Sequence, residues 1–332
     1  MTVPARVTIH DVAREAGVSV ATVSKVINGR YGVSQATSSR VQAVIDTLGY
    51  ESSLVARSLR SHRTNVIGIL VAEFEPFSTE ILKGTSSAIA GTGYELLAYS
   101  GGGGSRPGWE HRYLSRLAGT LIDGAILVTP TVVTAEISIP VIAVDPHLGP
   151  SGLPTIDADN MTGARSAVQH LLDLGHRRIA LIGGRTDLES ARLREVGYRA
   201  ALQAAGIEAD PALVLNGDYR RETTMAPALE LLSLPDRPTA VFAANDLSAL
   251  GVMEAAKGLG LDVPRDLSVV GFDNIPESAL SNPPLTTVSQ PLQQMGATAI
   301  EMLVGLVQGK PADVRHVQMP TQLVVRGSTR RR

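Results

Sequence analysis

The chain has 332 residues, of which 44% are hydrophobic and 4% aromatic, and its formal net charge is −2. This length and composition can form two or three compact units, and the absence of cysteine excludes disulfides, thiolate metal sites and catalytic thiols. The apolar runs are too short to cross a membrane and the N-terminus shows no secretory signal, so we expect a cytoplasmic globular protein.

Charge is distributed unevenly along the chain. Residues 1–64 have a net charge of +4, whereas the rest of the chain has a net charge of −6. A basic head suits an anionic partner such as DNA, because neutralising phosphates releases their counterions. Taken alone, this charge is explained equally well by an ordinary solvated surface.

The first 50 residues predict three short helices, each preceded by a small polar capping residue and followed by a glycine. The helices begin after Thr8, at Val20 and at Ser34, and they end near Ala16, at Ile27 and at Leu48. Two short helices around the turn at Gly17 are typical of a helix-turn-helix. On pattern alone, a three-helix bundle that merely supports the rest of the chain remains the alternative.

The same segment resembles the DNA-reading head of the lactose-repressor/galactose-repressor (LacI/GalR) family. The likeness lies in Thr8-Ile-His-Asp-Val-Ala-Arg-Glu-Ala-Gly-Val-Ser-Val-Ala-Thr-Val-Ser-Lys-Val-Ile-Asn-Gly29 and continues through Val33-Ser34, Leu48-Gly49-Tyr50 and Ala56-Arg57-Ser58-Leu59. It extends through the rest of the chain to about Arg326. The resemblance implies a sequence-specific repressor whose second helix enters the major groove of double-stranded DNA.

This resemblance also implies which side chains contact DNA. Val20 and Ala21 occupy the base-reading start of the second helix, where apolar side chains contact thymine methyl groups or tolerate several bases. Lys25 is then the polar base reader, although the family more often has arginine there and lysine lacks the guanidinium fork. Small polar residues at helix starts and turns are expected to contact phosphates or to cap helices. They are Thr8, Ser19, Thr22, Asn28, Ser34 and Thr37.

Residues 52–61 resemble the family's hinge, a short helix that orders when the operator is bound. Leu59 is the residue expected to wedge into a base step of the minor groove and kink the duplex. Ser52-Ser53 stand where the family usually has Pro-Asn, so the start of the hinge lacks the stiffness that proline supplies.

From Asn65 onward, short apolar runs alternate with amphipathic stretches, which predicts βαβ units and doubly wound parallel sheets. The predicted strands are residues 66–71, 95–99, 124–128 and 141–144, followed by 179–182, 213–215, 240–243 and 268–272. The pattern restarts near Asp157, so we expect two similar subdomains and a cleft, as in the type I periplasmic-binding-protein fold that the family carries.

The expected domains are a helix-turn-helix head over residues 1–51, a hinge over 52–64 and an effector-binding domain over 65–332. Within the last, we expect an N-subdomain of about 65–157 and 292–318 and a C-subdomain of about 158–289 and 319–329. The chain stops before any leucine-heptad extension, so we expect a homodimer whose two-fold axis matches a palindromic operator.

Polar residues that follow the predicted strands form the candidate effector site, because ligands of open parallel sheets bind beyond the strands' carboxyl ends. Carboxylate and amide groups there can each hold neighbouring sugar hydroxyls. The resemblance to the family adds three residues to this site: Arg194, the aromatic Tyr219, and Gln290, which lies where the chain recrosses the cleft. The set is Phe77, Asp145, Ser190, Arg194, Tyr219, Asn245, Asp273 and Gln290. Each of these residues alone is as well explained as an ordinary cap or packing residue.

The leading hypothesis is a repressor of carbohydrate-utilisation genes that is controlled by a small sugar and needs no cofactor or metal. The segments Glu75-Pro-Phe-Ser78 and Trp109–Leu117 resemble relatives that control use of plant-wall oligosaccharides, which favours a xylo-oligosaccharide or a β-glucoside. A sugar transport receptor is the second hypothesis. The sequence disfavours it, because such a receptor requires a secretion signal and has no DNA-reading head. An enzyme acting on a sugar through Asp145 and Asp273 is the third hypothesis, and turnover of a candidate sugar would test it.

Overall fold

The computed structural model describes residues 7–27, 31–50, 63–100, 108–131, 137–150, 152–311 and 314–332. The chain divides into two compact units, Met1–Thr64 and Asn65–Arg332. The predicted roles of Asn28, Ser52-Ser53 and Leu59 lie outside the described residues. No helix within the described ranges is both long enough and apolar enough to span a membrane.

The described part of the first unit contains three helices around one small core. They are α1 (Ile9–Glu15), α2 (Val20–Ile27) and α3 (Gln35–Leu48). Each begins after the predicted capping residue and buries the apolar side of its helical pattern. The core consists of Val12, Ala13, Ala16, Val23 and Val41. The three helices predicted from the sequence are therefore confirmed.

The second unit contains two lobes, each built on a six-stranded sheet. The strands of the first lobe are β1 (Val66–Val71), β2 (Glu95–Ser100), β3 (Gly124–Val128), β4 (Val141–Val144), β5 (Thr155–Ala158) and β11 (His316–Met319). They lie in the order β11-β5-β4-β3-β1-β2, and every pair is parallel. The helices of this lobe are α4 (Pro76–Ala88), α5 (Trp109–Leu117) and α11 (Leu292–Val307).

The second lobe repeats this arrangement. Its strands are β6 (Ile179–Gly183), β7 (Val214–Asn216), β8 (Ala240–Ala243), β9 (Ser268–Asp273), β10 (Thr286–Ser289) and β12 (Gln322–Val324), in the order β12-β10-β9-β8-β6-β7. Only β12 departs from the parallel direction, since it pairs antiparallel with β10. The helices are α6 (Asn160–Asp173), α7 (Glu189–Ala204), α8 (Arg221–Leu232), α9 (Asp246–Gly258) and α10 (Pro276–Leu280).

Helix α11 returns the chain to the first lobe and packs closely on α4. Met295, Ile300 and Leu303 of α11 belong to the same buried cluster as residues of β1 and β3. A Cβ atom added to Gly296 would lie 2.1 Å from the carbonyl oxygen of Ile81 on α4. The two helices therefore approach more closely than any side chain at this position permits.

The fold class predicted from the sequence, a helical head followed by two parallel-sheet lobes, is confirmed. The eight predicted strands are present, with ends that differ by at most one residue. Strands β5, β10, β11 and β12 were not predicted, because each is short and contains polar residues, as in Thr155-Ile-Asp-Ala158 and Thr286-Thr-Val-Ser289. Such strands lack the apolar run on which a sequence-based prediction depends.

The run Arg330–Arg332 predicts a solvated tail, and the structure shows exposed side chains on a backbone that is bonded to the second lobe. The amide of Arg330 donates to the Ser268 hydroxyl at 3.1 Å, and its carbonyl oxygen lies 3.1 Å from Nε2 of the buried His176. The amide of Arg332 donates to the carbonyl of Leu174 at 2.9 Å. The tail backbone is therefore fixed beside the second sheet, although its side chains are exposed.

Candidate functional site

A cavity of about 420 Å³ lies between the two lobes, at the carboxyl ends of their strands. The first lobe supplies residues that follow β1, β3 and β4, and the second lobe supplies residues that follow β6, β7, β8 and β9. This is the place where ligands of open parallel sheets bind. Seven of the eight predicted effector residues line it, namely Phe77, Asp145, Ser190, Arg194, Tyr219, Asn245 and Asp273.

Arg194 on α7 is the most deeply buried cation of this cavity, with 3% of its surface exposed. Its Nε donates to Oδ1 of Asn160 at 2.8 Å, and one terminal nitrogen donates to the carbonyl of Ala244. The same nitrogen lies 3.4 Å from Oδ1 of Asp273. The guanidinium also lies 3.9 Å from the ring centroid of Phe272, a cation–π distance. These contacts hold the guanidinium in one place at the cavity wall.

Asp273 ends β9 opposite this arginine and is 5% exposed. Burial raises the pKa of its carboxyl well above the ordinary range; Arg194 opposes the rise, and the Asp246 and Glu75 carboxyls add to it. Gln290 donates to Oδ1 of Asp273 at 2.7 Å. Gln290 does not line the cavity; its side chain lies behind Asp273 and positions that carboxyl.

Tyr219 presents its ring to the cavity from the turn after β7. A Cβ atom on Gly184 would lie 2.2 Å from this ring, so the ring can approach the β6 turn only because a glycine is there. The buried Tyr219 hydroxyl has no partner of hydrogen-bond geometry among the residues that the structure describes, although Ser190 is close enough to affect its ionisation. Asn245 donates to the backbone carbonyl of Tyr219 at 2.9 Å and accepts from the amide of Ser248 at 2.9 Å. Asn245 therefore both lines the cavity and fixes the tyrosine.

Asp145 faces the cavity from the end of β4. Burial raises the pKa of this carboxyl to about 6; Arg194 lowers it and Asp157 raises it further. Glu75 lies on the same wall, where its carboxylate caps α4 by accepting from the amides of Phe77 and Ser78. That cap holds the Phe77 side chain at the first-lobe wall.

Backbone strain is concentrated around this cavity. Among the described residues other than glycine, seven have a positive φ, and all except Asn65 lie just after or at the carboxyl ends of strands. They are Thr129, Asp145, Asp218, Tyr219, Asp273 and Asn274. Residues with side chains rarely adopt this conformation, and such strain is maintained where it positions functional groups.

Direct contacts between described residues join the lobes beside the cavity, among them His147 Nδ1 and Asp187 Oδ2 at 3.7 Å. Arg220 of the second lobe donates from one terminal nitrogen to both carboxylate oxygens of Glu73 in the first lobe, at 2.8 Å each. The amide of Glu189 donates to the carbonyl oxygen of His147 at 2.8 Å. The two lobes are thus connected beside the space in which a ligand would lie.

Several cavity residues were missed by the sequence prediction. They include Glu73, Glu75, Thr129, His147, Arg185, Asp218 and Arg220. All follow predicted strands closely, so the rule that selected Asp145 and Asp273 would have selected them too. Burial lowers the pKa of His147 to about 4, with Arg185 lowering it further against the effect of Asp187, and this histidine is therefore uncharged near neutral pH.

The head presents a separate candidate site on α2. Ala21 and Lys25 are exposed, Thr22 is half-buried, and Val20 packs partly against the core of the head. The Ser19 hydroxyl accepts from the amide of Thr22 at 3.1 Å and so caps the helix. The start of α2 therefore offers small side chains beside one exposed cation.

The other predicted DNA contacts in the described part of the head also form caps. Thr8 donates to the Asp11 carboxylate from its amide and its hydroxyl, at 2.9 and 2.7 Å. The hydroxyl of Ser34 accepts from the amide of Thr37 at 3.3 Å. Thr8 and Ser34 are exposed and Thr37 is half-buried, so these caps lie at the surface.

Two family models match this chain. The model described as "Bacterial regulatory proteins, lacI family" matches residues 8–53, and the model described as "Periplasmic binding protein-like domain" matches residues 168–329. The ribose operon repressor of Escherichia coli (strain K12) is 37% identical over 331 residues, which cover 97% of this chain and 99% of that protein.

Solved structures share the whole architecture. The Lac repressor dimer bound to operator and the anti-inducer ONPF is 30% identical, with a TM-score of 0.84 over 98% of this chain and 100% of that one. The transcriptional regulator CelR–cellobiose complex is 35% identical, with a TM-score of 0.73 over 97% of this chain and 100% of that one. Because relatives above 30% identity span nearly the entire chain, this protein belongs to the lacI family of bacterial regulatory proteins.

Proposed function

We propose that this protein is a homodimeric transcriptional repressor of carbohydrate-utilisation genes, and that a small sugar bound between its lobes controls its affinity for a palindromic operator. The observation that carries the proposal is the cleft cavity, which gathers carboxylate, amide, guanidinium and aromatic groups from both lobes. The same chain begins with a helix-turn-helix and a net positive charge over residues 1–64. The relatives that match over the full chain include a repressor of a sugar operon.

The head supports operator binding through shape and charge. The head and hinge together, residues 1–64, have a net charge of +4, which supplies sequence-independent attraction to phosphates. The exposed Lys25 on α2 supplies the polar contact to a base edge, and Ala21 leaves room for a thymine methyl group. A palindromic operator follows from a two-fold dimer, because each head then reads one half-site.

The cavity chemistry suits a neutral ligand with many hydroxyl groups. Asp145, Arg194 and Asp273 are planar groups that can each engage two neighbouring hydroxyls. The Tyr219 ring supplies an apolar face of the kind against which a sugar ring packs. A volume of about 420 Å³ lies within the range of sites that enclose small ligands.

For the effector we propose a β-glucoside or a xylo-oligosaccharide. The segments Glu75-Pro-Phe-Ser78 and Trp109–Leu117 support this choice through their resemblance to regulators of plant-wall oligosaccharide use. The 35% identity to a regulator solved with cellobiose adds support for the β-glucoside. The sugar must bind the operator-competent and operator-released states with different affinity, because equal affinity would shift no population.

The test is fluorescence anisotropy of the purified full-length protein on DNA from its own upstream region, at one fixed salt concentration. We expect tight binding that resists competitor DNA and is released by one sugar in a panel that contains cellobiose, xylobiose, ribose and lactose. Lys25→Ala should weaken specific binding about tenfold or more, through a lost base contact. Arg40→Ala, which removes the same charge from an exposed position on α3, should weaken it less.

Other outcomes identify other functions. Operator binding that no ligand in the panel changes would contradict the sugar assignment and leave the regulator intact. Failure to bind any specific DNA would contradict the repressor. Turnover of a panel sugar, lost in Asp145→Asn and Asp273→Asn, would instead support an enzyme.

A further inference from the structure

A second cavity of about 420 Å³ lies at the opposite edge of the second sheet, where the strands begin. Its floor includes His176 before β6, Thr239 before β8 and Leu267 before β9. The effector cavity lies at the other ends of these same strands. The two sites are therefore separated by a strand length, about 15 Å for four to five residues.

The wall of this second cavity contains five arginines and two aspartates. Its two acidic residues are already paired, because Asp236 lies 3.2 Å from Arg178 and Asp266 lies 3.2 Å from Arg265. Four further arginines line the cavity and form no ion pair with a side-chain carboxylate of the described residues. They are Arg237, Arg330, Arg331 and Arg332.

These arginines belong to a built site whose backbone is held in place. The backbone amide of Arg330 donates to the Ser268 hydroxyl, and its carbonyl oxygen contacts Nε2 of His176. One terminal nitrogen of Arg237 donates to the carbonyl of Asp266 at 3.0 Å, and one of Arg332 donates to the Thr239 hydroxyl at 3.2 Å. A guanidinium has five N–H donors, so most donors in this cavity remain available.

Like charges held together in one cavity repel each other, and a bound anion both removes that repulsion and accepts the free donors. We propose that this second cavity binds a small phosphate-bearing anion, with Arg237, Arg331 and Arg332 supplying charge-assisted hydrogen bonds. The planar fork of arginine matches phosphate oxygens in pairs, which makes phosphate a better fit than a monovalent anion. This gives the protein a second ligand site that does not depend on the identity of the sugar.

The test is isothermal titration of the full-length protein with inorganic pyrophosphate at constant ionic strength. We expect saturable binding of one pyrophosphate per chain, which Arg331→Gln weakens about tenfold through a lost charge-assisted bond. The Arg331 side chain is exposed, so this substitution leaves the packing intact. Arg199→Gln is the matched control, because Arg199 is exposed on α7 of the same lobe and pairs with Glu195. It should change the affinity less than twofold.

Three results would overturn the proposal. Wild-type protein that shows no saturable binding at millimolar pyrophosphate has no such site. Equal weakening by Arg331→Gln and Arg199→Gln would mean that only the overall charge of the lobe attracts the anion. Weakening by Arg220→Gln and not by Arg331→Gln would place the anion in the effector cavity instead.

Discussion

The hydroxyl of Tyr219 is a buried polar group at the wall of the effector cavity, and no described residue forms a hydrogen bond with it. An unsatisfied buried hydroxyl costs about 1–3 kcal/mol, which a ligand recovers when it supplies the partner. We therefore expect Tyr219→Phe to leave the free energy of unfolding unchanged or to raise it by about 1 kcal/mol. The same variant should bind the releasing sugar about fivefold more weakly, as measured by titration.

Tyr198→Phe is the matched control. Tyr198 is fully buried in the second lobe, and its hydroxyl donates to the carbonyl of Ile179 at 2.8 Å. Its loss should lower the free energy of unfolding by about 1–2 kcal/mol and leave sugar affinity unchanged. Unchanged sugar affinity in Tyr219→Phe would show that the tyrosine hydroxyl has no contact with the ligand.

Asp145 makes the stability of the free protein depend on pH. Burial raises the pKa of its carboxyl to about 6 from the ordinary value of 3.8, so the folded chain holds this proton more tightly than the unfolded chain. The stabilisation is present below about pH 4 and is lost as pH rises through about 6. The loss is at most on the order of 3 kcal/mol.

Urea unfolding of wild-type protein and Asp145→Asn between pH 4 and pH 7 checks this prediction. Wild-type protein should become less stable relative to Asp145→Asn as pH rises. The difference between the two free energies of unfolding should level off above about pH 7. Burial also raises the pKa of Asp246 to about 7, so this group titrates near neutrality. Asp246 is present in both proteins, so its contribution cancels to first order when the two free energies of unfolding are subtracted. A difference that does not vary with pH would contradict the raised pKa of Asp145.

At the scale of elements, the contact between α4 and α11 depends on the glycines between the helices. A Cβ atom on Gly296 would lie 2.1 Å from the Ile81 carbonyl oxygen, and one on Gly84 would lie 1.8 Å from the Gln293 carbonyl oxygen. Because these nearest atoms belong to the backbone, the added methyl group can be accommodated only if one helix shifts relative to the other. We expect Gly296→Ala to lower the free energy of unfolding by about 3 kcal/mol, as measured by urea unfolding.

Gly305 on the same helix α11 is the control. A Cβ atom there meets nothing within 4 Å, so Gly305→Ala should raise the free energy of unfolding by up to about 1 kcal/mol through helix propensity. Opposite signs at two glycines of one helix would show that the close approach governs the effect. Equal small effects would mean that the helices separate easily.

At the scale of the whole molecule, the arrangement of the lobes depends on contacts that cross the cleft. The Arg220–Glu73 ion pair is half exposed, so its contribution is modest and is screened by salt. Arg220→Gln should lower sugar affinity about twofold to fivefold at low salt, because it weakens the contact between lobes that enclose the ligand. The effect should shrink as the salt concentration rises.

Arg199→Gln serves as the control for this prediction as well, because its ion pair with Glu195 lies within one helix of the second lobe. Sugar affinity should stay at the wild-type value in that variant. Equal affinity of Arg220→Gln and wild-type protein at low salt would show that the cross-cleft pair does not contribute to ligand enclosure.

Most of the local structure was readable from the sequence. The capping residues Thr8, Ser19 and Ser34 and the left-handed Gly17 and Gly49 mark helix ends through interactions of neighbouring residues. The long buried strands were equally clear, because a parallel strand covered on both faces needs a continuous apolar run. Strand-end residues such as Asp145 and Asp273 could be selected because parallel topology places such ends at one edge.

Three features were decided only by the tertiary structure. Gln290 lies behind Asp273 instead of lining the cavity, because its amide satisfies a buried carboxylate. Arg330–Arg332 forms the wall of a second cavity, because the buried His176 and Ser268 bind its backbone. Glu73 and Arg220 meet although 147 positions separate them in the chain.

The sequence by itself therefore determined which segments become helices and strands, which residues follow the strands, and which family the head resembles. These properties depend on residues that are neighbours in the chain, through caps, turns and apolar periodicity. The tertiary structure alone decided which polar groups face a ligand, which support another side chain, and which charges remain unpaired. Those properties depend on contacts between distant segments, and a hydrogen bond or ion pair forms only when folding brings its two partners within reach.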